Sequence, residues 1–89
     1  MRTITEEQYK QRMEMTEEIE WQFIQDFIQT RKNHGLSQQK MAEQGGLIRE
    51  QIAKIENYLV HPQINTLIKA LKPIGYTIKI VPIEEDKKC

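Results

Sequence analysis

Between Leu36 and Pro62 the chain reads LSQQKMAEQGGLIREQIAKIENYLVHP, two short helical patterns divided by the glycine pair Gly45-Gly46. Paired glycines at that point constrain the fold more than any other feature, because they allow the positive-φ backbone that a sharp helix–helix turn needs. Ser37 is placed to cap the first helix through its hydroxyl, with Gln38 to Gln44 following. The second helix is expected from about Leu47 to Asn57, with Leu47, Ile52 and Ile55 inward and Arg49, Glu50, Gln51 and Lys54 outward. Ala42 falls where the two helices must cross closely.

The rest of the chain is read around this unit. Its 89 residues make one domain with a modest core, too small for an enzyme with a deep cleft. The apolar runs are only a few residues long, so no membrane span is expected. The N-terminal MRTITEEQYK lacks the apolar stretch of a secretory signal, and the single cysteine, Cys89, has no internal partner. A soluble, cytoplasmic protein is the expectation. The formal net charge is zero, which argues against a non-specific polyanion binder, but its distribution is uneven. Residues 1–30 hold three bases against seven acids, whereas residues 31–60 and 61–89 each hold five bases against three acids. Any polyanion contact must therefore be focused on one face away from the N-terminus.

No repeat, low-complexity tract or linker divides the chain. Thr5 or Thr16 could begin a first helix, with Trp21, Ile24 and Ile28 on one face and Phe23 and Phe27 widening the stripe into a core. Residues 1–15 read as a polar extension, residues 16–82 as the single domain and residues 83–89 as a flexible tail. Asn33-His34-Gly35 stops the first helix. Tyr58 to Pro62 is a loop, after which Ile64, Leu67, Ile68 and Leu71 mark another helix, and Pro73 and Gly75 end it. From Tyr76 to Val81 the period changes to alternation, a strand pattern stopped by Pro82. A lone strand leaves its backbone groups unpaired, so Tyr76, Ile78 and Ile80 are expected to pair with a second copy across a two-fold axis.

The segments GLSQQKMAEQGG, REQIAKIEN and HPQINTLIKAL resemble the Xre/Cro-type helix-turn-helix family of bacterial and phage repressors over roughly Ile24 to Gly75. The acidic helix before the motif and the GYTIKIVP stretch after it are similar to HigA-type antitoxins of toxin–antitoxin operons. The resemblance implies a mainly α, lambda-repressor-like bundle of four to five helices with one C-terminal strand paired across a homodimer. It further implies that Arg49, Glu50 and Lys54 contact base edges, that Ser37, Gln38 and Gln51 contact phosphates, and that Ile48 can touch a thymine methyl group. Those residue types suit the roles: arginine and lysine donate to guanine O6 and N7, and glutamate accepts from the cytosine amino group. By the same resemblance, the partners are a double-stranded inverted-repeat operator, a second copy and a basic ribonuclease toxin.

Three positions depart from the family pattern. Gly45 stands where the family has an apolar residue, Ile48 where it has a capping Ser or Thr, and Tyr58 where it has glycine. Outside the motif, Arg49, Glu50 and Lys54 would read as a solvated helix face or as i,i+4 partners. The acidic run with Glu14, Glu17 and Glu18 reads either as a solubilising face or as a landing zone for a basic partner. This second use, a protein-interaction module with little DNA binding, is the alternative to a DNA-binding regulator. His34 and His61 have no ligand-spaced neighbours and no phosphate loop is present, so no metal, cofactor or catalytic residue is expected.

Overall fold

Four α-helices follow one another along the chain: α1 (Glu6–Asn33), α2 (Gln38–Gly45), α3 (Arg49–Glu56) and α4 (Ile64–Leu71), the last running into a 3-10 turn at Lys72–Ile74. The computed structural model describes residues 5–83, the side chains of residues 8–13 excepted. The expected tail beyond residue 83, Cys89 included, and residues 1–4 of the polar extension lie outside the described residues.

Each helix ends by the same device. A residue at or just after the C-cap takes left-handed backbone, its N–H bonds back to the last turn, and the next N–H reaches the carbonyl five residues earlier. Gly35, Gly46 and Gly75 serve at α1, α2 and the 3-10 turn, with Leu36, Leu47 and Tyr76 donating to Arg31, Ala42 and Leu71 carbonyls at 3.1, 2.8 and 3.1 Å. At α3 the position is held by Tyr58 at φ 60°, and Leu59 N–H meets the Lys54 carbonyl at 2.9 Å. Ser37 caps α2 as expected, its Oγ accepting from Lys40 N–H at 3.0 Å. Pro73 sits in the 3-10 turn, where its missing N–H is tolerated.

The core gathers Ile24 and Phe27 of α1, Met41 and Ala42 of α2, Ile52 and Ile55 of α3, and Leu67, Ala70 and Leu71 of α4. Met41, Ala42 and Ile52 are wholly enclosed. Gly45 is a helical residue, so only Gly46 of the glycine pair takes positive φ. The reason for Gly45 is steric: a Cβ there would stand 2.4 Å from the Lys69 carbonyl oxygen and 3.4 Å from the Ala70 Cα. The two small residues let α2 and α4 cross backbone against backbone.

That crossing turns α4 away from the expected face. Leu67, Ala70 and Leu71 point inward, and Ile64 and Ile68 are exposed. Trp21 is also corrected, since half of its surface is open to solvent while Ile24, Phe27 and Arg31 fill the inward line of α1. The helix runs unbroken from Glu6, so residues 6–15 continue α1.

The expected strand is not formed: among the described residues there is no strand, and residues 76–83 make no regular element. The alternation does not produce two faces within one chain. Ile78 packs against the core whereas Ile80, of the same parity, is 99% exposed. No second strand is present among the described residues to supply a ladder. Instead Tyr76 sets its ring edge-on to His34 with centroids 5.5 Å apart, and Val81 to Ile83 run beside Ile19 and Phe23 of α1.

Candidate nucleic-acid interface

The start of α3 has an unusual anchor. Ile48 occupies the N-cap in extended backbone, and its side chain offers no acceptor to the first-turn N–H groups. Gln51 supplies the other half of a capping box, its Oε1 accepting from the Ile48 N–H at 3.0 Å. With the oxygen so engaged, the exposed Gln51 keeps its amide nitrogen as a donor. Ile48 itself is 61% exposed at the leading end of the helix.

Arg49, Glu50 and Lys54 are exposed on the outer side of α3. None of the three makes a hydrogen bond or ion pair among the described residues, so the i,i+4 pairing of Glu50 with Lys54 does not form. The opposite side of the same helix inserts Ile52 and Ile55 into the core. Three uncommitted polar side chains thus project from a helix whose back is fully packed.

Behind them lies a buried network that sequence reasoning missed. Arg31 of α1 and Glu56 at the end of α3 are each 9% exposed and meet in a two-point ion pair, Nε to Oε2 at 2.8 Å and Nη2 to Oε1 at 2.9 Å. Arg31 Nη1 also donates to the Leu36 carbonyl at 2.8 Å, just before the α2 cap. Gln38 Nε2 adds a third donor to Glu56 at 2.9 Å. One guanidinium therefore ties together the ends of α1 and α3 and the start of α2. The signal was present in the sequence: Arg31 follows Ile24 and Phe27 at helical spacing, and Glu56 follows Ile52 by four residues, so both fall on inward lines. Two opposite charges on inward lines must find each other.

Gln38 is half buried at the start of α2, where one of the two N–H groups of its amide donates to Glu56 and the other stays available to a phosphate. Gln51 and Ser37 remain at the exposed surface. Glu14, Glu17 and Glu18 are exposed on the N-terminal half of α1, and Tyr76 and Ile80 are exposed after α4. The loop after α3 carries His61, whose Nδ1 lies 2.7 Å from Glu20 Oε2 on α1.

Residues 28–81 match the Helix-turn-helix family, which is more than half of the chain. The chain belongs to the helix-turn-helix family. A curated relative from Haemophilus influenzae, described as an uncharacterized HTH-type transcriptional regulator, is 38% identical over 60 residues, covering 67% of this chain and 61% of its own length. The chain thus spans about three fifths of that relative. No solved structure matches.

Within a helix-turn-helix domain the departures acquire physical reasons. Gly45 makes room for the α4 backbone. Tyr58 accepts the left-handed position because its hydroxyl donates to the Trp21 carbonyl at 2.9 Å and lies 3.4 Å from the Gln25 amide. The tyrosine thus fastens the end of α3 to the side of α1.

Proposed function

We propose that this chain is a sequence-specific DNA-binding transcriptional repressor that acts as a homodimer on a short inverted repeat. The observation that carries this reading is the outer side of α3, where Arg49, Glu50 and Lys54 stand exposed and uncommitted on a helix held rigidly from behind. Arg49 and Lys54 read guanine edges, Glu50 accepts from a cytosine amino group, and Ile48 covers a thymine methyl group. The Gln51 amide and the Ser37 hydroxyl, with the N–H groups at the helix starts, hold phosphates and set the register. Two copies joined through their C-terminal segments present two α3 helices to successive major grooves, roughly 34 Å apart. The name of the Haemophilus relative agrees with a regulator of transcription.

The test is fluorescence anisotropy on DNA from immediately upstream of the chain's own gene, against scrambled DNA, at two salt concentrations. Selective binding that weakens steeply with salt and is lost in Arg49→Ala/Lys54→Ala is expected. Equal, weak binding to both DNAs would sink repression of its own promoter.

A second reading draws on the N-terminal half of α1, where Glu14, Glu17 and Glu18 are exposed with no partner among the described residues. That helix end suits a basic protein, as an antitoxin would require of a ribonuclease toxin. Co-purification with the product of the neighbouring gene, abolished by Glu14→Lys/Glu17→Lys, tests it.

A further inference from the structure

The buried carboxylate of Glu56 touches one side chain that also reaches the surface. It accepts two hydrogen bonds from Arg31, at 2.8 and 2.9 Å, and a third from Gln38 Nε2 at 2.9 Å. The third bond is not needed to neutralise the carboxylate, because Arg31 already engages both of its oxygens. Gln38, moreover, is only half buried, as the first residue of α2. A glutamine in that position can present either end of its amide to water. The contact with Glu56 removes the choice. A carboxylate paired to an arginine only accepts, so the amide must turn its nitrogen toward it and not its oxygen. One N–H is then engaged, and the other has no partner among the described residues. Arg31 Nη1 holds the Leu36 carbonyl at 2.8 Å, so the same guanidinium also fixes the backbone two residues before Gln38.

We infer that Glu56 is a positioning residue for DNA binding: it orients the Gln38 amide so that the second N–H donates to a backbone phosphate, while Arg31 cancels the negative charge that would repel that phosphate. The inference rests on the DNA-binding reading above and gives the buried ion pair a part in it. A phosphate oxygen accepts and never donates, so an amide free to turn meets it with the wrong end part of the time. Fixing the nitrogen beforehand removes that loss from the binding step. Charge matters as well. A lone carboxylate one side chain away from a phosphate opposes DNA, whereas a neutral ion pair does not. Glu56 is also the last residue of α3, the helix that carries Arg49, Glu50 and Lys54. The bond to Gln38 therefore sets the phosphate contact at α2 in register with the base-reading side chains.

Two sets of substitutions separate this role from simple bracing. Arg31→Met with Glu56→Leu removes both charges and fills their space with apolar side chains, which keeps the helices packed and leaves Gln38 unheld. Gln38→Ala removes the phosphate donor itself. Fluorescence anisotropy on operator and scrambled DNA, over a series of salt concentrations, should show each set weakening binding by about tenfold or more. All three changes together should weaken it no further than either set alone. The preference for operator over scrambled DNA should stay that of the parent, because a phosphate carries no sequence. The salt dependence should stay as well, since neither an amide nor a neutral pair alters the charge that meets the DNA. Circular dichroism melts establish that the variants are folded at the assay temperature. A folded double variant that binds as the parent does overturns the inference, and so do losses that multiply when all three changes are combined. Gln38→Ala binding as tightly as the parent overturns it too. If the double variant does not fold, Glu56→Gln takes its place, because its amide still accepts from Arg31 but can offer either end to Gln38. Its effect on affinity should then depend on Gln38, and an equal effect in the Gln38→Ala background overturns the inference. A parent chain that prefers no DNA overturns the DNA-binding reading itself, an outcome distinct from all of these.

Discussion

Gly45 and Tyr58 show how far a single residue's role depends on what stands opposite it. Adding one methyl group at Gly45 drives it into the Lys69 carbonyl, and backbone cannot step aside as a side-chain tip can. Gly45→Ala is expected to cost about 1–3 kcal/mol through separation of α2 and α4, read as a lowered urea midpoint with an unchanged slope. Tyr58 has the opposite balance, paying for left-handed backbone with a hydroxyl bond to Trp21. Tyr58→Phe keeps the strained torsion and removes only that bond, so it should destabilise by about 0.5–1 kcal/mol. Tyr58→Gly relieves the torsion and loses the same bond, and its thermal midpoint should lie close to the parent's. A Gly variant much less stable than the Phe variant would show that the tyrosine ring, and not its hydroxyl, holds α3 to α1.

At the level of the helices, the ion pair between Arg31 and Glu56 decides how α1, α2 and α3 are held. Arg31→Ala leaves a carboxylate buried at 9% exposure with Gln38 as its one remaining side-chain donor among the described residues. A loss of roughly 3–5 kcal/mol is expected, a large part of what a domain of this size possesses. Arg31→Met combined with Glu56→Leu removes both charges and should recover most of that loss, a contrast that a double-mutant cycle measures directly. Much of this level was readable from the residues. Ser37, the Gly46 stop, Pro73 and the inward lines of α2 and α3 are local signals, and the helices they announce are present. The strand was not readable, because alternation in YTIKIV reports a capacity for pairing and says nothing of whether a partner strand lies within the chain. The face of α4 was misjudged for a different reason. Ala70 contributes little hydrophobic signal, yet its smallness is what the close crossing at Gly45 demands, and that rotates Ile64 and Ile68 outward. Trp21 misled by size: it sits at the margin of the inward line, where Tyr58 approaches its carbonyl.

The whole molecule is asymmetric in shape and charge. Its dimensions of 46 × 26 × 21 Å follow from α1, whose 28 residues extend about 42 Å, while α1 contributes to the core only from Phe23 onward. A chain beginning at Thr16 should therefore keep the bundle, with its thermal midpoint within about 4–8 °C of the parent's, the shift that 1 kcal/mol produces in a domain of this size. Circular dichroism melts of the two chains at equal low concentration provide the check, and a collapse of the truncated chain would mean that the projecting half supports the bundle. The placing of the candidate base-reading side chains was legible in the sequence because exposure on a short amphipathic helix follows from its period. The bracing behind them was not, since it joins residues 25 positions apart and only folding brings Arg31 to Glu56.

The two sides of α3 share no residue: Ile52, Ile55 and Glu56 anchor it, and Arg49, Glu50 and Lys54 face out. Under the proposed function, substitutions at the outer three positions can accumulate at little thermodynamic penalty, so descendants of one gene could acquire different target sites while inheriting an unchanged scaffold. Operator preference in such a lineage would drift quickly and independently of folding, and duplicated copies could become insulated from one another by a handful of exposed changes.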